Sequence, residues 1–227
     1  MIDPTDIDAR RRRTLALAAS VVGAAALALP RAAPAQAPAV TPTPRQTLGP
    51  FYPYGPEVER DADLVTVAGG TGIAKGEITL LTGRVLDARG RAVSGARVEI
   101  WQCNAFGRYH HPSDSRNVPL DPDFQGYGVA TTGADGGYRF RTIKPVPYPG
   151  RTPHIHFRIG VRGAAQLATQ MYVAGHPQND GDFLLSSIAD PKARERLLVR
   201  FETLPGADAL AARFDIVLDN NGTLQRS

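Results

Sequence analysis

A chain of 227 residues, 42% hydrophobic and 21% charged, has the length for one good-sized domain plus a short further segment. The formal net charge is +4; Arg10, Arg11, Arg12, Arg13 and Arg31 against Asp3, Asp6 and Asp8 place +2 of it in residues 1–35, and the remaining +2 argues for neither a nucleic acid nor a membrane surface as partner. Cys103 is the single cysteine, which excludes an intrachain disulfide and reads as a buried, inert thiol on a strand.

Arg10–Arg13 precede an uncharged run, Leu15–Leu29, and then the small-residue triplet Ala33-Pro34-Ala35. A basic start, an apolar middle and a small-residue cleavage site read as a signal peptide over residues 1–35. The apolar run is short for a membrane span. The arginine pair before Thr14-Leu15 resembles a twin-arginine signal, which exports folded proteins; an ordinary secretory signal and an uncleaved anchor are the alternatives. The exported protein is expected to begin near Gln36, without stable membrane insertion. Residues 36–46, rich in Ala, Pro and Thr, read as a linker. Thr47–Pro53 is an aromatic, turn-prone loop, and 56–76 is a Gly-rich loop.

Strands follow over Glu77–Asp87 and Ala96–Cys103, separated by the turn Ala88–Arg91. Residues 104–127 form a long connection rich in Tyr, His and Phe, a length that in a compact domain signals function. Gly128–Thr132 and Tyr138–Ile143 flank the Gly133–Gly137 turn and read as a hairpin. Strands over His154–Ile159 and Leu167–Val173 come next. Asp190-Pro191 opens a helix running to Leu204, with Asp190 as N-cap, and Arg213–Leu218 is a last strand. The domain spans 47–220 and leaves 221–227 as a tail. The fold class is all-β: an antiparallel β-sandwich with long active-site loops and one short C-terminal helix.

His154-Ile155-His156-Phe157-Arg158-Ile159 alternates, so Ile155, Phe157 and Ile159 face a core while His154 and His156 share the other face. Two imidazoles so placed can reach one metal ion; two histidines on a solvated strand face fit the pattern as well. The turn just before them carries Tyr148 and Arg151, which favours a site. Periodicity does not choose among the seven tyrosines, and His110 and His111 compete as ligands on composition alone. His176, in Gly175-His176-Pro177, reads as a surface loop residue.

The residues Trp101–Tyr109, Pro119–Pro122, Arg141–Pro145, Pro147–Pro149, Pro153–Phe157, Thr169–Tyr172 and Arg213–Leu218 together resemble the intradiol ring-cleavage dioxygenases, and among them the protocatechuate 3,4-dioxygenase type. The resemblance implies one mononuclear non-haem Fe(III) held by Tyr109, Tyr148, His154 and His156. It implies Tyr148 as the axial ligand that yields to substrate, with His156 opposite. It implies Arg151 and Gln170 as active-site residues, and a pocket segment that includes Gly49, Pro50 and Tyr52. Two phenolates suit a ferric ion, and with one hydroxide they balance its charge. The implied reaction opens a catechol-type ring with O2 to a cis,cis-muconate-type diacid, and a homo-oligomer is implied because one chain carries both the Gly49-Pro50 segment and the ligands. Two departures stand out: the loop between Tyr148 and His154 is shorter than in the protocatechuate enzymes, and Gly150 stands where they carry a tryptophan.

The stretches Gly83–Asp87, Gly95–Val98 and Asp135–Tyr138 also resemble transthyretin-like or regulatory β-sandwich modules, which would make the protein a non-catalytic binder. A zinc or copper hydrolase is a third reading, weakened by the lack of a carboxylate beside the histidine pair. Tyr109, Tyr148, His154 and His156 discriminate, because a binding module has no need of them.

Overall fold

Among the described residues, alternating apolar residues draw ten strands into two sheets. The computed structural model describes residues 40–53, 61–162 and 166–219; the signal peptide, residues 36–39 of the linker and the 221–227 tail lie outside them. The first sheet is built on β1 (Ile78–Leu86), which pairs antiparallel with β4 (Gly137–Ile143) and parallel with β9 (Leu210–Arg213) and β10 (Ile216–Val217), while β8 (Phe201–Thr203) extends it beyond β9. The second runs β3 (Tyr127–Thr131), β2 (Arg97–Trp101), β5 (His154–Gly160), β6 (Leu167–Val173), β7 (Leu198–Val199). Leu81, Val85 and Phe140 of the first sheet meet Val98, Ile100, Ile155, Phe157 and Met171 of the second, all fully buried. Phe157 touches Phe214 across the layer, ring centroids 5.0 Å apart. Removing such side chains from water is worth about 1.5–3 kcal/mol each.

Four readings are corrected by the partners the segments find. The Gly133–Gly137 turn closes locally, with Gly133 N–H on Gly137 O at 3.0 Å, but β3 and β4 do not form a hairpin. β4 pairs with β1 from Ile143 to Gly137, and β3 pairs with β2, so the turn carries the chain between sheets. The helix from Asp190 stops early: α2 spans only Pro191–Glu195, although Asp190 caps it by accepting from Lys192 N at 3.0 Å. Leu197 and Leu198, inside the span expected to be helical, serve the sheets instead, with Leu197 buried in the core and Leu198 pairing with Tyr172 of β6. The last strand is two short ones, interrupted where Asp215 accepts from Arg84 N. The sheets are mixed rather than antiparallel, because β7, β9 and β10 all pair parallel.

Residues 40–46, read as linker, are a strap across the sandwich. Thr43 N donates to Val217 O at 2.9 Å, Thr43 Oγ1 accepts from Val217 N at 2.8 Å, and Gln46 N donates to Ala168 O at 2.8 Å. A second short helix, α1 (Phe183–Ser186), is capped by Asp182. Among the described residues no helix is long and apolar enough to cross a membrane.

Candidate active site

The outer face of the second sheet holds the site. Register places Trp101 opposite His156, His156 opposite Gln170, and His154 opposite Tyr172. A sheet face turned away from the core is usually wet, yet His154 and His156 are only 1% and 2% exposed. The Thr47–Tyr52 segment and the loops after β2 and β4 supply the cover: Gly49 lies against His156, Tyr109 beside His154, and Tyr148 beside both His154 and Tyr109.

His154 Nδ1 lies 2.7 Å from Thr152 O. A carbonyl only accepts, so Nδ1 carries the proton and Nε2 presents its lone pair. That Nε2 is 3.2 Å from His156 Nε2 and 3.3 Å from Tyr109 Oη. His156 stacks on Trp101, with centroids 4.9 Å apart and planes 7° from parallel. On the Gly49 side, a Cβ at that position would come within 3.1 Å of His156 Cε1, so the backbone approaches the imidazole as only glycine allows. His156 Nδ1 is buried without a hydrogen-bond partner among the described residues.

Burial, reinforced by the Arg151 charge, pulls His154 down to about 3. Burial, with His154 and Arg151 adding to it, pulls His156 well below its ordinary value. Both imidazoles are therefore neutral, the form that ligates metal. Burial pushes the Tyr109 phenol well above its ordinary value, with Tyr148 adding to the rise. Tyr148 is raised chiefly by burial, against the lowering effect of Arg151. The buried Tyr109 phenol and the half-buried Tyr148 phenol stay protonated unless a cation takes their oxygens. The donor set thus fits a hard, highly charged metal ion. Among the described residues no three His, Cys, Asp or Glu gather into a site, so the zinc or copper hydrolase reading finds no third ligand of its usual kind.

Arg151 sits beside Tyr148 because the two residues close a tight turn, Arg151 N donating to Tyr148 O at 2.9 Å. Its Nε donates to Asp182 Oδ2 at 2.8 Å and its Nη2 to Gln170 Oε1 at 2.6 Å. Burial works against the guanidinium charge, but Asp182 outweighs it and holds Arg151 above its ordinary value. The Asp182 carboxylate, itself buried, also accepts from Thr152 N at 3.0 Å and from the N–H groups of Leu184 and Leu185. One carboxylate thereby fixes the arginine, the chain before His154 and the start of α1.

The sequence-derived site residues mostly converge. Tyr109, Tyr148, His154, His156, Arg151, Gln170 and Gly49 come together, with Pro50 exposed at the edge. Tyr52 does not join them and is corrected. Its hydroxyl donates to Glu99 Oε2 at 2.5 Å and accepts from Arg158, and its ring meets Trp101 edge to face, centroids 5.0 Å apart. Phe51 takes the place expected for Tyr52, stacking on Tyr109 at 4.8 Å. His110 is exposed; His111 is half-buried, accepts from Ser113 N and lies beside Phe51; neither meets the pair on β5. His176 caps the short turn Pro177–Asn179 and lies 3.3 Å from Thr152 Oγ1. Cys103 is buried, its thiol pushed up to about 12 chiefly by burial, which leaves it inert. Sequence reading missed Asp182, for which the signal was an N-cap aspartate before Phe183-Leu184-Leu185, and Phe51, for which there was none beyond its place beside Gly49-Pro50.

A cluster of two neutral imidazoles, two phenols and a half-buried arginine defines an enzyme site on a β-sandwich rather than the surface of a binding module. Residues 48–220 match the dioxygenase family. The chain is 44% identical over 168 residues to the protocatechuate 3,4-dioxygenase beta chain of Burkholderia cepacia, covering 70% of this chain and 71% of that one. It is 32% identical over 179 residues to the hydroxyquinol 1,2-dioxygenase of Rhizobium sp. (strain MTP-10005), covering 70% of this chain and 55% of the relative. The dioxygenase domain of a dioxygenase carbohydrate-binding protein fusion from Streptomyces sp. SirexAA-E superposes with a TM-score of 0.62 at 31% identity, covering 79% of this chain and 99% of the domain. The chain belongs to the intradiol dioxygenase family and is an oxidoreductase that incorporates O2.

Proposed function

We propose that the protein is a mononuclear non-haem Fe(III) intradiol dioxygenase that opens a catechol-type ring to a cis,cis-muconate-type diacid carrying both atoms of O2. The observation that carries this reading is the convergence of His156 Nε2 and Tyr109 Oη on His154 Nε2, at 3.2 and 3.3 Å, with Tyr148 and Arg151 alongside. Tyr109, Tyr148, His154 and His156 would hold the ion. Bound there, iron(III) would acidify the diol hydroxyls and make the ring reactive toward O2.

The chain's own residues supply the rest. Thr152 O fixes the His154 tautomer, and Trp101 and the Gly49 backbone fix the plane of His156. Tyr148 Oη is the proton acceptor for one diol hydroxyl. Arg151, held by Asp182 and Gln170, places a permanent positive charge beside the reacting oxygens in a site from which water is largely excluded. The names of the relatives support protocatechuate, hydroxyquinol or catechol as the substrate class. We read the protein as a homo-oligomer, and residues 1–35 as an export signal that delivers it, folded, outside the cytoplasm.

The experiment is a visible spectrum of the iron-loaded protein before and after anaerobic addition of catechol. A broad tyrosinate-to-iron(III) band that moves to longer wavelength is the expected result. A protein that stays colourless with Fe(III) overturns the reading. N-terminal sequencing of the exported protein should begin near Gln36, and a start at Met1 or Ile2 would refute the export signal.

A further inference from the structure

Asp114 and Arg116 lie in the long loop after β2, and neither belongs to the ligand set or to the Arg151 cluster. Asp114 is buried. Its Oδ2 accepts from the Tyr109 backbone N–H at 2.7 Å and from Arg116 Nη2, while its Oδ1 accepts from Arg116 Nε at 2.8 Å. This two-pronged pair fixes the plane of the guanidinium. The plane is then used: Arg116 Cζ lies 4.5 Å from the centre of the Tyr148 ring and 5.7 Å from that of Phe51. Phe51 stacks on Tyr109, and Tyr109 meets Tyr148 edge to face at 5.8 Å, 84° between planes. Arg116, Tyr148, Tyr109 and Phe51 thus close a ring of four contacts. Arg116 Nη1 is buried with no hydrogen-bond partner among the described residues. Beyond its pair with Asp114 the guanidinium thus has packing rather than further hydrogen bonds to serve. The stack on the phenol is what its position serves.

We propose that Arg116 is a positioning residue for Tyr148: the Asp114–Arg116 pair ties the backbone of one tyrosine to the ring of the other, and sets where, and in how positive a field, the Tyr148 oxygen stands. Charge and planarity both matter. The charge favours electron density on the phenol, and the flat fork holds the ring in one orientation. The inference rests on the assignment of Tyr148 as an iron(III) ligand.

The test compares iron-loaded wild type with Arg116→Met and Arg116→Lys. Methionine keeps bulk and loses charge, whereas lysine keeps charge and loses the plane. Taking the cation away raises the energy of the phenolate electrons. R116M should therefore move the tyrosinate-to-iron(III) band to longer wavelength and lower kcat about tenfold, with KM for catechol changed less than about twofold. R116K should show the same changes at roughly half the size on a logarithmic scale. A purely structural arginine would alter thermal stability and leave the band in place. An unshifted band and wild-type kcat in R116M, at wild-type iron content, overturn the proposal. Should R116M not fold, R116K decides on the same criteria. Colourless wild type would instead defeat the iron assignment itself, so the two failures are distinguishable.

Discussion

Around the histidine pair, the two faces of β5 have equal burial and opposite chemistry. Ile155, Phe157 and Ile159 point inward at 0%, 0% and 1% exposure; His154 and His156 point outward at 1% and 2%. The inner face is covered by the other sheet, and its side chains need no partners, only contact. The outer face is covered by loops and by the Thr47–Tyr52 segment, and its polar atoms are individually placed: His154 Nδ1 on Thr152 O, Arg151 on Asp182 and Gln170. Period-two alternation thereby divides stability from chemistry between neighbouring residues of one strand.

The largest effects should separate the faces outright. His154→Ala removes the lone pair nearest both His156 Nε2 and Tyr109 Oη and is expected to lower kcat/KM at least about a thousandfold, with little change in unfolding midpoint. Phe157→Ala opens the core beside Phe214 and should cost about 3–5 kcal/mol of stability, while the protein that remains folded keeps its visible spectrum. Steady-state kinetics and denaturant unfolding measure both. An active His154→Ala enzyme, or a Phe157→Ala protein as stable as wild type, would collapse the distinction.

Asp182→Asn is the next test, because this residue joins the outer face to the fold. Asparagine can still cap α1 but has lost the charge that opposes Arg151. We expect kcat to fall between about tenfold and a hundredfold, with roughly 1–2 kcal/mol lost in stability. Unchanged kcat would mean that Arg151 holds its place without the carboxylate.

The inner face was readable from sequence because it obeys a local rule. The alternation in His154–Ile159 marks the strand, the core side and the histidine pair at once. The outer face was readable only in part. The resemblance to a family picked Tyr109 and Tyr148 from seven tyrosines, and the four residues it implies as ligands do converge. It did not pick Asp182, which lies 31 residues from the Arg151 it holds. It also placed Tyr52 in a pocket from which Glu99 and Arg158 withdraw its hydroxyl. The misread elements failed for the same reason. β3 and β4 look like a hairpin until β1 and β2 compete for them, and Leu197 and Leu198 look helical until the second sheet takes them. Choice of partner is a property of the whole chain and leaves no local mark.

Acid should weaken the iron-free protein through its outer face. In the unfolded chain a histidine takes up its proton near pH 6.5, whereas folded His154 holds out to about 3 and His156 also lies well below its ordinary value. Between those limits the unfolded state binds more protons, so stability falls as pH falls, by up to about 1.4 kcal/mol per pH unit for each imidazole. Urea unfolding of iron-free protein at pH 7 and pH 5 measures the slope. His154→Gln should flatten it by about half. A slope indifferent to that change would mean that folded His154 takes up its proton at an ordinary pH.

The smallest effect tests the cover itself. Gly49 and Gly95 have nearly the same backbone conformation, φ +72° and +71°. Alanine at either should cost about 1 kcal/mol or slightly more from left-handed strain. They differ in what the new methyl group meets. At Gly95 nothing lies within 4 Å, while at Gly49 the methyl group would sit 3.1 Å from His156 Cε1. That distance obliges the imidazole to yield by a few tenths of an ångström. It is already pressed against Trp101, so it has to shift along the plane that sets its Nε2. Gly95→Ala should therefore lose stability alone. Gly49→Ala should lose the same stability and, in addition, about tenfold in kcat with a displaced visible band. Equal kinetics in the two variants would show that the segment over His156 yields freely, and that the orientation of the imidazole is set by Trp101 and the strand without help from Gly49.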